Sequence, residues 1–519
     1  MEAIGSASSL ATAVALGCGS LSPDPLHAAA ANARTTTIPE YRIKIPLALG
    51  LGWRLENQAM SDKNALIQPD RGQQAVSIHL VDKDGLEKFT KGLTVPQRAV
   101  LEAARFDASA GEYVILPEGD GWSVAAGVAD AGTLGGWCMA KLAEKLPAGT
   151  YRRVGGEPGA AIFGWILGQY SFDRYKADAE DHGPRLLLTG EPAQIAALTA
   201  EAEAVMLVRD LVNTPAEDMG PAQLEAEAEA LHKAFRAEIR VTRGEVLERD
   251  FPMVHAVGRA AGRSHAPRMI ELEWGDPKNP RIAVVGKGVC FDSGGLDVKP
   301  SAGMLLMKKD MGGAAHALAL ARLIMSAQLP VRLHVLVPAV ENAISGNSFR
   351  PGDVLRSRAG ITVEIGNTDA EGRLILGDAL TRAGEAGPEF IIDFATLTGA
   401  ARVAVGPDLP ALFTREDATA DALLTAGKAV DDPCWRLPLH EGYREYLKSD
   451  VADINNAGSS GFAGASTAAL FLDRFVPKGV DWAHFDTFAW RPTAKAGRPK
   501  GGEALGLRAA WHMLKTRYG

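Results

Sequence analysis

RIAVVGKGVCFDSGG, residues 281–295, decides how the rest of the chain is read. Residues 281–285 form a β-branched run that spells a strand, and the glycines after it let the backbone turn sharply and approach a ligand. Downstream, residues 313–327 carry apolar side chains at helical spacing, and residues 331–337 (VRLHVLV) spell the next strand. Residues 374–386 are helical again, and residues 389–394 (EFIIDF) return to strand. Repeated strand–helix alternation predicts a largely parallel sheet with helices on its faces. Ligands of such sheets bind beyond the carboxyl ends of the strands. The glycine loop fits neither common phosphate-binding motif. A dinucleotide fingerprint would place its third glycine at Phe291, and a P-loop would need Ser or Thr, not Gly288, after Lys287.

Three polar segments follow the predicted strands or open the predicted helices. The first contains Lys287, Asp292 and, a little further on, Lys299. The second is MKKDMGG, residues 307–313, with Asp310 at its centre. The third is NTDAEGR, residues 367–373, with Asp369 and Glu371. Each acid alone has an ordinary structural explanation. Asp310 can cap a helix. Glu371 can complete a capping box with Asn367 or Thr368, or simply face a helix dipole. Taken together, four carboxylates in three loops need cations if the loops converge. Two divalent ions would serve, as Zn, Mn or Co all accept oxygen-rich ligation. Salt bridges to Lys287, Lys299, Lys308, Lys309 and Arg373 would serve equally, and spacing leaves both readings open.

The bulk properties fit this picture. A chain of 519 residues implies two domains. A formal charge of −8 argues against nucleic acid as the main partner. The four cysteines form no CxxC pair, which favours a reducing compartment, and no apolar run spells a membrane span. Residues 1–40 are rich in Ala, Ser and Thr. Residues 10–17 resemble an export-signal core, but Glu2 precedes them and no Lys or Arg does, so a flexible tail is expected. A smaller α/β domain is expected over residues 41–205, with strands at 75–80 and 113–116 and a helix at 134–145. Its closing helix, 192–213, should stop before Pro215. Residues 206–519 would form the larger domain, which carries the three polar segments. Cys290 reads as a small buried spacer, since no His partner is evident, and His316 as a packing residue. The absence of HExxH excludes a zincin.

NTDAEGRL at 367–374, GKGVCFDSGG at 286–295 with Lys299, and MKKDMGGAA at 307–315 closely resemble the leucyl aminopeptidase family, also called cytosol aminopeptidases. Further similarity lies in RDLVNTPAEDMGP (209–221), VPAVENAISGNSFRPGDV (337–354), ATLTGA (395–400) and, more weakly, FGWILGQYSFDRYK (163–176). The resemblance covers most of 206–490. It implies a dinuclear metallo-exopeptidase that removes the first residue of a peptide, preferentially a hydrophobic one. The attacking hydroxide would lie between two divalent ions, Mn or Zn. Lys287, Asp292, Asp310 and Glu371 would hold one ion, and Asp292, Asp369 and Glu371 the other. Lys299 and Arg373 would be catalytic, with Arg373 holding a bicarbonate that acts as general base. Met307, Thr396, Leu397 and Gly399 would line the substrate pocket. The resemblance also implies a cytoplasmic homohexamer acting in intracellular peptide turnover. The sequence departs from the family pattern at Lys309, where a bulky apolar residue is common, and at Gly366, where a larger residue is expected. Some members of the family bind DNA, so an inactive binding protein is the competing reading, and a two-metal hydrolase with dipeptide preference is another.

Overall fold

The computed structural model describes residues 66–178 and 182–519. The expected tail and the start of folded sequence near Tyr41 lie outside the described residues. Two sheets dominate. The first contains β1 (Ile67–Pro69), β2 (Val76–Val81), β3 (Tyr113–Glu118), β4 (Gly121–Gly127), β5 (Gly149–Val154) and β6 (Arg185–Thr189), in the order β1-β6-β5-β2-β4-β3. All its pairings are parallel except the β3–β4 hairpin.

The second sheet begins with β7 (Glu238–Thr242), β8 (Arg268–Trp274), β9 (Arg281–Gly286), β10 (Gly288–Asp292) and β11 (Arg332–Asn342). Two short strands, β12 (Val354–Arg356) and β13 (Thr362–Glu364), then leave for a small separate sheet. The chain returns with β14 (Phe390–Ala395), β15 (Ala411–Thr414) and β16 (Trp435–Arg436). It gives β17 (Ile454–Asn455) to the small sheet and closes the large one with β18 (Asp481–Asp486). The spatial order is β16-β15-β18-β14-β9-β11-β8-β7, with β10 paired to β11. The centre is parallel; β7, β8 and the β15–β18 pair supply the antiparallel contacts.

The strand sequences explain why both faces are covered. Side chains alternate across a strand. Ile282, Val284, Leu333, Val335, Phe390 and Ile392 therefore join one apolar cluster, while Ala283, Val285, Leu336 and Ile391 join another. The helix Gly312–Ser326 seats on the first face and the helix Glu371–Glu385 on the second. The first helix follows β10 and leads into β11, which lies on one side of β9. The second precedes β14, which lies on the other side. The strand order therefore reverses at the carboxyl end of β9, where doubly wound sheets open a crevice.

The helix Ile195–Asn213 joins the two sheets. Its Val205, Val208 and Leu211 belong to the same apolar cluster as Ile78 of β2 and Ile282 of β9. A 3-10 turn, Pro192–Gln194, leads into it, and it ends where Pro215 predicts. One expectation is corrected. The helix predicted over 134–145 spans only Ala140–Lys145. The chain ahead of it packs against another backbone: a Cβ on Gly164 would lie 2.3 Å from the Gly136 carbonyl oxygen, and Gly164 N donates to that oxygen at 2.8 Å. Close backbone packing displaces the first turns of the helix there.

Candidate metal centre and substrate cavity

The carboxyl ends of β9, β10 and β14 converge with the starts of two helices. Lys287 follows β9, Asp292 ends β10, Thr396 follows β14, and Asp310 lies in the 3-10 turn Met307–Met311. Glu371 is the first residue of its helix, where the dipole favours an acid. The capping readings are not realised. No side chain caps Glu371–Glu385, and Asp310 lies inside its turn, accepting a 2.8 Å hydrogen bond from Thr396 Oγ1. Lys287, Asp292, Asp310, Asp369, Glu371, Lys299, Arg373, Met307, Thr396, Leu397 and Gly399 all line one cavity of about 690 Å³.

The ion-pair reading and the convergence reading turn out to be compatible. Lys287 Nζ lies 2.7 Å from Asp310 Oδ2 and 3.0 Å from Glu371 Oε1, and donates to the Thr396 carbonyl at 3.2 Å. Lys299 Nζ lies 2.7 Å from Asp292 Oδ2 and also pairs with Asp369. Lys308 instead donates to the Asn213 carbonyl, and Arg373 Nη1 donates to the Asn456 carbonyl at 2.6 Å. Two lysines therefore serve four carboxylates, and the acids remain crowded. Asp292, Asp369 and Glu371 can each bring one oxygen within 4.8 Å of the others. Glu371 Oε2 is buried with no hydrogen-bond partner among the described residues.

The proton affinities record this crowding. Burial and then the Asp292 charge push Glu371 up to about 8, and the same two causes push Asp369 up to about 6. Burial disfavours the Lys287 ammonium, but the charges of Asp310, Glu371 and Asp292 outweigh it and raise its pKa. Arg373 is lowered to about 10 by burial. Lys309, also inside the cavity, is lowered to about 8, chiefly by burial. The set of buried, oxygen-rich and under-neutralised groups fits divalent cations.

Residues outside the carboxylate set hold the loops. Asn342 Nδ2 donates to Asp292 Oδ1 at 2.8 Å and to the Thr368 carbonyl at 3.1 Å. Asn456, fully buried, accepts from Gly366 N and Asn367 N and donates to the carbonyls of Asn367 and Ala370. Asp486 accepts from the backbone N–H groups of Leu397 and Thr398, both at 3.1 Å. None of the three stood out by residue type or spacing, although Asn342 lies within a stretch that carried the resemblance. The small residue at 366 is explained by the same loop, since a Cβ there would sit 2.5 Å from Asn455 Oδ1. Gly372 is required by close approach: a Cβ would lie 2.4 Å from Lys287 Cε.

Cys290 is buried and its thiol is raised well above the ordinary range by burial, in keeping with an inert spacer. His316 is buried as well. Its Nδ1 faces the Gly312 carbonyl at 2.7 Å and its Nε2 accepts from Leu505 N at 3.0 Å. Larger clefts, of about 940, 920 and 730 Å³, lie elsewhere among the described residues. In the first, Glu441 and Asp473 are already paired with Arg415 and Arg444, so no under-neutralised acids gather there.

Comparison with known proteins agrees with this geometry. Residues 206–510 match the catalytic domain of the cytosol aminopeptidase family, and residues 76–188 match the N-terminal domain of the M17 aminopeptidases. A cytosol aminopeptidase from Coxiella burnetii is 45% identical in its crystal structure. The match covers 88% of this chain and 100% of that one, with a TM-score of 0.83. A probable cytosol aminopeptidase from Syntrophotalea carbinolica is 41% identical over 371 residues, 68% of this chain and 74% of the relative. The bottromycin maturation enzyme BotP, solved in complex with Mn, is 33% identical with a TM-score of 0.77, covering 86% of this chain and 100% of that one. Fold, crowded acidic cavity and sequence agree, and the chain belongs to the cytosol aminopeptidase family of metal-dependent exopeptidases.

Proposed function

We propose that the protein removes the first residue of peptides, preferring a leucine-like one, with two divalent ions, Mn or Zn. Lys287, Asp292, Asp310 and Glu371 would hold one ion. Asp292, Asp369 and Glu371 would hold the other, with the Asp369 carbonyl as a further ligand. The observation that carries this reading is that Asp292, Asp369 and Glu371 can each bring one oxygen within 4.8 Å of the others, with Glu371 Oε2 unpartnered among the described residues. When bound, the ions would supply Lewis acidity and a hydroxide nucleophile near neutral pH. Lys287 would ligate as a neutral amine, because dications nearby favour loss of the proton that Asp310 and Glu371 otherwise retain.

The chain's own groups complete the chemistry. Lys299 offers a fixed ammonium to the oxyanion that develops on the peptide carbonyl. Asp310 receives the free α-amine, which restricts cleavage to the first bond. Met307, Thr396, Leu397 and Gly399 surround the first side chain, and Met307 adapts to apolar shapes. Arg373 spends Nη1 on Asn456, while its Nε has no acceptor among the described residues. The rest of that fork suits a planar bicarbonate, which would act as general base. In the same reading residues 206–519 are the catalytic domain and residues 41–205 a domain ahead of it. The protein is a cytoplasmic homohexamer that serves peptide turnover. No helix among the described residues is long and apolar enough to cross a membrane.

Hydrolysis of aminoacyl-amides by metal-stripped protein, with Mn²⁺ or Zn²⁺ added back, tests the proposal. Activity is expected to return with metal, Leu-amide to be cut and N-acetylated peptides to remain intact. Cleavage of blocked peptides would rule out the exopeptidase mechanism.

A further inference from the structure

The cavity contains five carboxylates and five cationic side chains, and their pairing is uneven. Asp310 and Glu371 face Lys287, and Asp292 and Asp369 face Lys299. Asp486 is spent on the N–H groups of Leu397 and Thr398 and on the Thr398 hydroxyl, at 2.6 Å. Arg373 is turned to the Asn456 carbonyl. Two cations remain, Lys309 and Arg402. The nearest carboxylate oxygen paired to Lys309 is Asp310 Oδ1, at 3.9 Å, beyond hydrogen-bond reach. The Arg402 carbonyl accepts from Gly406 N, but its guanidinium has no ion pair or hydrogen bond among the described residues. Both lie over one aromatic ring: Lys309 Nζ is 5.4 Å and Arg402 Cζ 4.7 Å from the centroid of Phe488, which also lines the cavity.

Lys309 is only 6% exposed. A ring face compensates a desolvated cation in part, by less than a carboxylate does. Methionine would fill the same space without the electrostatic penalty, so packing alone does not account for the ammonium. The place of the charge is informative. In sequence Lys309 adjoins Asp310, the residue assigned to the α-amine, and it lines the same cavity as Met307 and Leu397. In the aminopeptidase reading, this puts Lys309, and Arg402 over the same ring, on the first residue's side of the scissile bond.

We propose that Lys309 and Arg402 form the far end of the first-residue pocket and extend its range from leucine-like residues to acidic ones, glutamate above aspartate. This rests on the aminopeptidase reading and deepens it. Met307 and Leu397 contact the methylene stem of the side chain, as they would contact leucine, and the terminal carboxylate meets the two cations. Glutamine has the same shape without the charge, so the glutamate-to-glutamine ratio isolates the charge.

The test uses Mn²⁺-loaded full-length protein with Glu-, Gln- and Leu-p-nitroanilide. The native protein should show kcat/KM for Glu about tenfold or more above Gln, as charge-assisted hydrogen bonds are roughly twice as strong as neutral ones. Lys309→Met should bring the ratio near one, and Lys309→Arg should restore most of it. Arg402→Gln, at an exposed position, should lower the ratio in a chain whose core is untouched. The Leu substrate reports whether each variant is folded and loaded. Cleavage of Leu with no preference for Glu over Gln overturns this inference alone, as does a ratio that survives both Lys309→Met and Arg402→Gln. Leu-Gly and its C-terminal amide form a second arm. A preference for the free acid that disappears in Lys309→Met would assign the cations to the carboxylate of the leaving product and overturn the inference. Failure to cut any of the three anilides would overturn the aminopeptidase reading and this inference with it.

Discussion

Glu227, on the helix Pro221–Phe235, shows how a single side chain can set a pH response. It is buried, its Oε1 has no partner among the described residues, and burial followed by the Asp210 charge raises its pKa to about 8. The folded chain therefore holds a proton that the unfolded chain, near 4.5, has released. Its contribution to stability is full below about 4.5 and is lost as pH climbs towards 8. Glu227→Gln should stabilise the protein by about 1–3 kcal/mol at pH 8.5 and by little at pH 4.5, measured as the shift in denaturation midpoint. Nothing in the sequence around Glu227 announced this, because the effect depends on what covers the helix face. The candidate site is different. Its acids were visible as types at loop positions, yet their spacing left metal binding and ion pairing equally open. Only the motif resemblance separated them, and the distances now show lysines and acids intermixed. Asn456 and Asp486 stayed hidden because they act through backbone contacts distant in sequence.

The element that seats the site is the helix Gly312–Ser326. Its start crosses the ends of β9 and β14, where Lys287 N donates to the Phe394 carbonyl at 3.0 Å and Ala314 N to the Lys287 carbonyl at 2.8 Å. A Cβ on Gly313 would lie 2.1 Å from the Phe394 oxygen and 2.7 Å from Lys287 N. Both are backbone atoms fixed by the ladder, so they cannot yield as a side chain would. Gly313→Ala should cost about 3 kcal/mol or more and abolish activity, read from thermal unfolding and from Leu-amide turnover. At this scale the sequence was most legible where a run is continuously apolar. β9, β11, β14 and their helices were found because strands buried on both faces carry unbroken Val, Ile and Leu. β4, with its sequence GWSVAAG, was missed because small residues and glycine carry little strand signal. The helix predicted at 134–145 was read too long because apolar spacing does not report backbone-to-backbone packing.

For the molecule as a whole, distant parts of the chain are joined through buried charge. Glu201, on the helix that joins the two sheets, receives Arg508 Nε at 3.1 Å and His512 Nε2 at 2.9 Å from the last helix, Leu507–Tyr518. Burial pushes its pKa up, but the His512 hydrogen bond and the Arg508 charge prevail and lower it to about 2. Its contribution is therefore present above about 4.5 and is lost as pH falls towards 2, opposite in sign to Glu227. Glu201→Gln should destabilise by about 3 kcal/mol at pH 7, and the deficit should shrink steadily between pH 5 and pH 3 in urea titrations. The Asn456 carboxamide has a consequence for biosynthesis. All the candidate ligands have been synthesised once Glu371 is made, but the turn carrying Asp369 is held by a side chain 89 residues beyond Asn367. A nascent chain thus carries its full complement of acids well before it can set them, and the turn gains its clamp only after residue 456 has been added.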